Sequence, residues 1–225
     1  MTELLILGAG GNSLGIVDAV EAQRRLQPGL DLRIAGFLDD LARNRGRSVL
    51  GYPVLGTIDD AGKYPGCHFV NGISSVASFR ARQAIVSRSA VPLQRFATII
   101  HPAAVVSAHA QVGRGCVILA NSVICPGAVV EDHVLILQST TVNHHARIGS
   151  HATLSAGITV LGNVEIGSGA FVGGGSSLAP FVKIGPGALV GMGSVVIRDV
   201  AAGSVTVGNP ARDLPASPHR LQRGD

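Results

Sequence analysis

Tryptophan is absent from this chain of 225 residues, and aromatic side chains reach only 4 %. So few rings leave no platform on which the bases of single-stranded nucleic acid could stack. Charged residues are 14 %, against about 25 % in an ordinary globular domain. Lysine occurs only at Lys63 and Lys183, the arginines are scattered, and the net charge is +4. Without a basic block, the balance excludes a nucleic-acid partner. The three cysteines, Cys67, Cys116 and Cys125, are odd in number and form no CxxC pair. A disulfide framework and a cysteine zinc cluster are thereby excluded, and these side chains read as small buried hydrophobes. Proline stands at 11 with no strict triplet, which rules out collagen. No apolar run approaches the ~18–20 residues that cross a bilayer. The opening Met1-Thr2-Glu3-Leu4-Leu5-Ile6-Leu7-Gly8 carries an acid and no basic stretch, so it reads as a buried strand and not as a signal peptide. These absences predict a soluble, cytoplasmic protein with no membrane partner.

What is present is glycine, at 30 residues, and hydrophobic side chains, at 46 %. Residues 1–98 follow an α/β rhythm. An apolar strand at Leu4–Leu7 enters Gly8-Ala9-Gly10-Gly11-Asn12-Ser13, and an amphipathic helix runs on to about Arg25. A second strand, Leu32–Leu38, ends in Asp39-Asp40. A glycine turn between strand and helix lets amide groups and the helix N-terminus approach a phosphate. Ser13 stands where the dinucleotide fingerprint has its third glycine, so a tight turn without a ligand stays open at this point.

From Ile100 the pattern changes in kind. Stepping in sixes from Ile100 through Val106, Val112 and Ile118 to Val190 and Val196 meets 17 aliphatic residues without one insertion. Four residues after each comes a small or β-branched residue, with Cys116 the exception, and three after each glycine or asparagine recurs. Neither the helix period nor the strand period produces this. A fixed six-residue period predicts a β-helix, one short strand and one corner per unit. Three units close a coil of 18 residues, and coils stack at about 4.8 Å. A narrow prism has room only for small aliphatics, which accounts for the missing tryptophan and the low charge.

Several segments extend the pattern: Gly8-Ala9-Gly10-Gly11, Gly36-Phe37-Leu38-Asp39-Asp40, Gly51-Tyr52-Pro53-Val54-Leu55-Gly56, Ile100-His101-Pro102, Val142-Asn143-His144, Gly191-Met192-Gly193-Ser194-Val195-Val196 and Val207-Gly208-Asn209-Pro210-Ala211. Over about residues 3–214 the chain thereby resembles the hexapeptide-repeat sugar O-/N-acetyltransferases of the sialic acid and bacillosamine type. The resemblance implies a Rossmann-like nucleotide-sugar-binding domain (1–98), a left-handed β-helix acyltransferase domain (99–214) and a frayed tail (215–225). It further implies a homotrimer with active sites between subunits, a nucleotide-linked amino sugar as substrate, acetyl-CoA as cosubstrate and no metal. By position, Gly8, Gly10, Gly11, Asn12 and Ser13 would contact phosphate, Asp39 or Asp40 the nucleoside, and Gly72 the substrate. His144 would be the general base with His145 beside it, and the Gly162 amide would face the thioester oxygen. Thr153, Gly174, Lys183 and Arg198 would, with Gly162, line the coenzyme. Independently of the family, His144 and Gly162 differ by 18 and so stack on one corner, where a base and an oxyanion donor could bracket a carbonyl.

Four positions depart from that family's pattern. His145 replaces an acidic partner of the base, Thr153 a second histidine, Leu137 an asparagine, and Asn12 a histidine of the glycine turn. A histidine at 145 can orient His144 but brings no negative charge to stabilise its imidazolium, which predicts a weaker base, a different proton partner, or an acceptor that is easier to deprotonate. Three alternatives stay open: O-acetylation of a sugar, a non-catalytic nucleotide-sugar-binding scaffold, and zinc hydration of the γ-type carbonic anhydrase kind. The last would draw on His133 and His151, 18 apart, with His145 near in sequence, brought onto one zinc from two subunits of a trimer; otherwise His133 and His151 read as solvent-exposed corner residues.

Overall fold

The computed structural model describes residues 2–214, and the expected tail at 215–225 lies outside the described residues. Strand β1 (Thr2–Leu7) is completely buried from Leu4 to Leu7, as befits a central parallel strand covered on both sides. The glycine turn leads into α1 (Gly11–Leu26) and back to β2 (Leu32–Leu38), parallel to β1. Strands β3 (Ser48–Val49) and β4 (Tyr52–Gly56) make a hairpin, and β5 (His68–Asn71) lies on the other side of β1. The sheet order is β3-β4-β2-β1-β5, with β3 antiparallel to its neighbour. Strand order therefore reverses between β1 and β5, and in open α/β sheets the crevice at such a reversal holds ligands. Helix α2 (Arg82–Arg88) follows. No helix among the described residues is long and apolar enough to cross a membrane.

From Ile99 the chain winds into a parallel β-helix of seventeen two-residue strands, ending at Val195–Val196. From Ile99–Ile100 to Ser177–Leu178 each strand pairs with the one 18 residues on, as Val123 does with Thr141 and Thr141 with Thr159. The last coil shortens the step, and Leu189 pairs with Val205. The inward aliphatics, Ile118 to Val196, form one continuous core. Three faces result. The first contains Val117, Leu135 and Thr153, the second Val123, Thr141 and Thr159, and the third Val129, Arg147 and Glu165. Three edges join them: first to second face at residues such as Ala156 and Gly174, second to third at His144 and Gly162, third to first at His133 and His151.

At the corners the backbone enters the left-handed region, with φ of 61° at Asn121 and 59° at Asn163. The recurring glycine and asparagine were expected to take that conformation. His133, Ser139, His145, His151 and Phe181 take it too, held by the ladder of the coils above and below.

The first face is covered by the α/β region. Ile16 and Val20 of α1 pack with Val117, Leu119 and Leu135, and the Phe79 ring meets Phe171 at 5.5 Å. Arg82, 0 % exposed, fastens the two parts. Its guanidinium donates to the carbonyls of Ile73 and Asn71 on one side, and of His133, His151 and Ala152 on the other. Burial lowers its pKa to about 10, so it stays charged at neutral pH. The outward strand residues of the second face, Val105, Val123, Thr141, Thr159, Ser177 and Val195, bear no charge, whereas the third face carries ion pairs such as Lys183–Glu165.

Candidate active site

On the second edge the structure brings His144, His145 and Gly162 together. The His144 ring lies on the Gly162 Cα: a methyl group there would stand 2.5 Å from Cε1 and 2.7 Å from Nε2. Glycine at 162 therefore makes room for the imidazole of the coil below. The His145 ring leans the other way, onto Gly127, where a Cβ would meet its Cδ2 and Nε2 at 3.0 and 3.1 Å. The two rings stand edge to face, at 77°, and their Nδ1 atoms are 3.2 Å apart.

The amide of Gly162 makes no hydrogen bond among the described residues. Its corner position is filled by proline at Pro102, Pro126, Pro180 and Pro186, so the ladder does not need an N–H there. Elsewhere this same outward amide holds anions: Arg114 N–H donates to Asp132 Oδ1 at 2.7 Å, and Ser150 N–H to Glu131 Oε2 at 3.0 Å. An oxyanion at Gly162 would find the same donor.

The glycine turn is only partly open. Ile73 packs on Gly8 where a side chain would go, and Ser13 fills the corresponding space at Gly72. Ser13 itself is buried, with its hydroxyl donated to the Gly8 carbonyl at 2.7 Å. Gly8, Ser13 and Gly72, expected to touch phosphate or substrate, lock the turn to the loop after β5. Asp39, 5 % exposed, accepts from the amides of Ala9 and Leu41 at 2.6 and 2.7 Å. It braces the same turn, with one accepted hydrogen bond on each carboxylate oxygen. Asp40 pairs with Arg88 and accepts from the Ile58 amide. Gly10 and Gly11, by contrast, have nothing within 4 Å of a built Cβ, and the first amides of α1 lack an intrahelical acceptor. The open end of the turn is therefore Gly10–Gly11, at the N-terminus of α1.

Asn12 donates to the Ser74 carbonyl at 2.7 Å, and the Ser74 hydroxyl meets Thr153 Oγ1 at 2.7 Å. Asn12 and Thr153, two of the four departures, are thus joined through Ser74. Thr153 is buried, and its hydroxyl is engaged in this bridge and not turned to a coenzyme. Neither Ser74 nor Arg82 has a signal in the sequence, since both act through what folds against them. Gly174 lies on the first edge over the Ala156 carbonyl. Lys183 is on the third face, compensated by Glu165 at 3.2 Å. Arg198 is exposed, has no ion pair among the described residues, and stands in the corner column His144, Gly162, Pro180, Arg198.

His133 and His151 are not the exposed corner residues expected. They stack at 4.8 Å and 10°, with Phe96 edge-on to His133, behind Val86 and Leu93. Both Nδ1 atoms are buried without a hydrogen-bond partner. Burial first, and nearby Arg82 as well, push both imidazoles down to about 4. His145 stands on a different edge, and within one copy no group of three such side chains among the described residues could hold a metal ion.

The six-residue units and parallel strands are matched in the sequence by a family model, "Bacterial transferase hexapeptide (six repeats)", over residues 163–198. Solved structures extend the likeness to the whole chain. The acetyltransferase domain of PglB from Neisseria gonorrhoeae is 29 % identical with a TM-score of 0.83, over 95 % of this chain and 100 % of that one. The same domain in complex with acetyl coenzyme A is 28 % identical at 0.81, over 94 % and 98 %. PerB from Caulobacter crescentus, solved with CoA and GDP-perosamine, is 26 % identical at 0.82, over 96 % and 98 %. The resemblance to hexapeptide-repeat sugar acetyltransferases is thereby shown. Among curated proteins no match is found.

Proposed function

We propose that the chain is an acetyl-CoA-dependent N-acetyltransferase acting on a nucleotide-linked amino sugar. The observation that carries this reading is the His144 imidazole lying on Gly162 one coil away, in a fold whose similar structures hold acetyl coenzyme A or CoA with GDP-perosamine. His144 Nε2 takes the proton of the sugar amine as that nitrogen attacks the thioester carbonyl. The Gly162 amide receives the developing oxyanion, and the imidazolium returns its proton to the leaving thiolate. Base catalysis of this kind contributes about 10²–10⁴-fold, and one oxyanion donor about 10²–10³-fold. Arg198, further along the same edge, fits a coenzyme phosphate.

In this reading residues 1–98 are a Rossmann-like unit and 99–214 a left-handed β-helix, in a cytoplasmic enzyme. The open amides of Gly10 and Gly11 hold the nucleotide phosphates. Helix α1 packs beside the first edge, where a Cβ on Gly15 would meet Leu119 and Gln138, while His144 is on the second edge. A six-residue side of the coil separates them, so one copy does not assemble the site. A neighbouring copy that lays its first edge along this second edge completes it, and three copies close the ring around the uncharged second face.

Acetyl transfer from acetyl-CoA to GDP-perosamine and to UDP- and dTDP-linked 4-amino sugars, read by mass spectrometry, tests the reading. One added acetyl group, lost in His144→Ala, is the expected result. Undiminished transfer by His144→Ala, or no product while acetyl-CoA remains unbound, overturns it. Light scattering should give three times the 23.0 kDa of one chain.

A further inference from the structure

We propose that His145 is a positioning residue that accepts the Nδ1 proton of His144 as a neutral partner, so that the base works within an uncharged imidazole pair and not within an ion pair. The inference rests on the reading of His144 as the base. Two ring nitrogens 3.2 Å apart cannot both present a lone pair, nor both an N–H; one proton lies between them. For Nε2 of His144 to accept a proton from substrate, its own proton must be on Nδ1. His144 is then the donor, and His145 accepts through Nδ1 while keeping its proton on Nε2.

The fold holds this arrangement from both sides. His144 rests on Gly162 and His145 on Gly127, in the coils above and below. The positive φ of 58° at His145 splays the two successive side chains along the edge and leaves their Nδ1 atoms facing. Corner residues in the adjacent coils, Cys125 to Gly127 and Leu161 to Asn163, include no carboxylate. Arg147, the nearest ionised side chain in sequence, is on the third face, 4.0 Å from Glu131. Among the described residues, the pair therefore has no counterion of its own.

Two properties follow. The resting pair has no negative charge to attract an ammonium group, so the acceptor amine must arrive already unprotonated. Once His144 takes its proton, the positive charge is balanced by the oxyanion at Gly162, which ties proton transfer to attack on the carbonyl.

Three substitutions at this corner separate the possibilities, because asparagine and aspartate place an oxygen where Nδ1 of histidine lies, and asparagine already turns corners at Asn121 and Asn163. With acetyl-CoA and GDP-perosamine, or the panel sugar that is turned over, His145→Asn should keep kcat within about 3-fold with an unchanged pH profile, since its oxygen preserves the accepted hydrogen bond. His145→Ala should lose about 10–100-fold in kcat at constant KM. His145→Asp should move the acid limb of the profile to higher pH by about one unit or more. Carbethoxylation of His144 by diethyl pyrocarbonate, followed by peptide mass spectrometry, should show the same displacement in His145→Asp without any substrate. Loss in His145→Asn equal to that in His145→Ala, or an unmoved limb in His145→Asp, overturns the proposal. If these variants behave like wild type while His144→Ala is inactive, only this inference falls. Full activity of His144→Ala removes the base itself.

Discussion

Two edges of one prism carry histidines in the same left-handed corner conformation, φ 58° at His133 and 58° at His145, yet they have opposite surroundings. On the third edge, His133 and His151 stack under Phe96 with their Nδ1 atoms sealed away. On the second edge, His144 and His145 touch each other in the open beside a glycine whose amide has no partner among the described residues. The repeat treats both edges alike, so the difference comes from what covers them. Arg82 and the residues around α2 close the third edge and make its histidines part of the joint between two halves of the molecule. Nothing among the described residues closes the second, where His144 and His145 are exposed. A period in the sequence specifies position; chemistry depends on the second layer packed outside it.

The contrast can be broken from either side. The largest effect is expected at Gly162→Ala, whose methyl group displaces the His144 ring: kcat should fall about 10²–10³-fold while the urea midpoint hardly moves. Equal losses of activity and stability would mean that the second edge is structural like the third. On the closed edge, Arg82→Ala leaves several buried carbonyls without a donor and should destabilise by about 3 kcal/mol or more, measured by urea unfolding; an unchanged midpoint would show that the joint does not depend on it.

A smaller effect separates the edges by pH. His133 and His151 titrate near 4 in the folded chain, against about 6.5 when unfolded. Unfolding therefore takes up protons between those values. Their stabilising contribution is complete above about pH 6.5 and declines as pH falls toward 4. His151→Asn should flatten the loss of urea resistance between pH 7 and 5, and a slope equal to wild type would contradict the burial. Smallest is the difference between two cations. Arg198→Ala should raise KM for acetyl-CoA about 5–10-fold, as loss of a charge-assisted contact does, whereas Lys183→Ala, already neutralised by Glu165, should stay within about 2-fold, the range of an exposed ion pair. Reversed effects would move the coenzyme from the second edge to the third face.

The coils were legible because each hexapeptide repeats one steric requirement: an aliphatic inside, a small residue behind it, a corner after it. The stacking of His144 on Gly162 was legible for the same reason, as a difference of 18. The glycine turn was read correctly as a strand–helix turn, but the duties of its neighbours were not. Ser13 and Asp39 hold the turn through hydrogen bonds with Gly8 and Ala9, while Gly72 leaves room for Ser13, and polar residues beside a glycine turn look the same whether they grip a ligand or the chain. The Asn12–Ser74–Thr153 bridge and the Arg82 fastening span 51–79 residues, a separation that no local pattern records. Corner histidines look exposed in sequence because the covering helix lies far upstream.

The 18-residue coil gives the enzyme a unit of length. Every functional column advances by one rise of about 4.8 Å per coil, so His144 and Arg198 stand three rises apart, about 14 Å. The thirteen bonds from the sulfur of coenzyme A to its first phosphate, at about 1.2 Å of extended reach per bond, span a similar length. In the proposed reading, gain or loss of one whole coil between Asn163 and Pro180 would leave His144 and Gly162 in place and shift the Arg198 contact by a single step. Descendants of such a chain can thus be refitted to a longer or shorter carrier by counting turns, with no residue at the reacting end replaced.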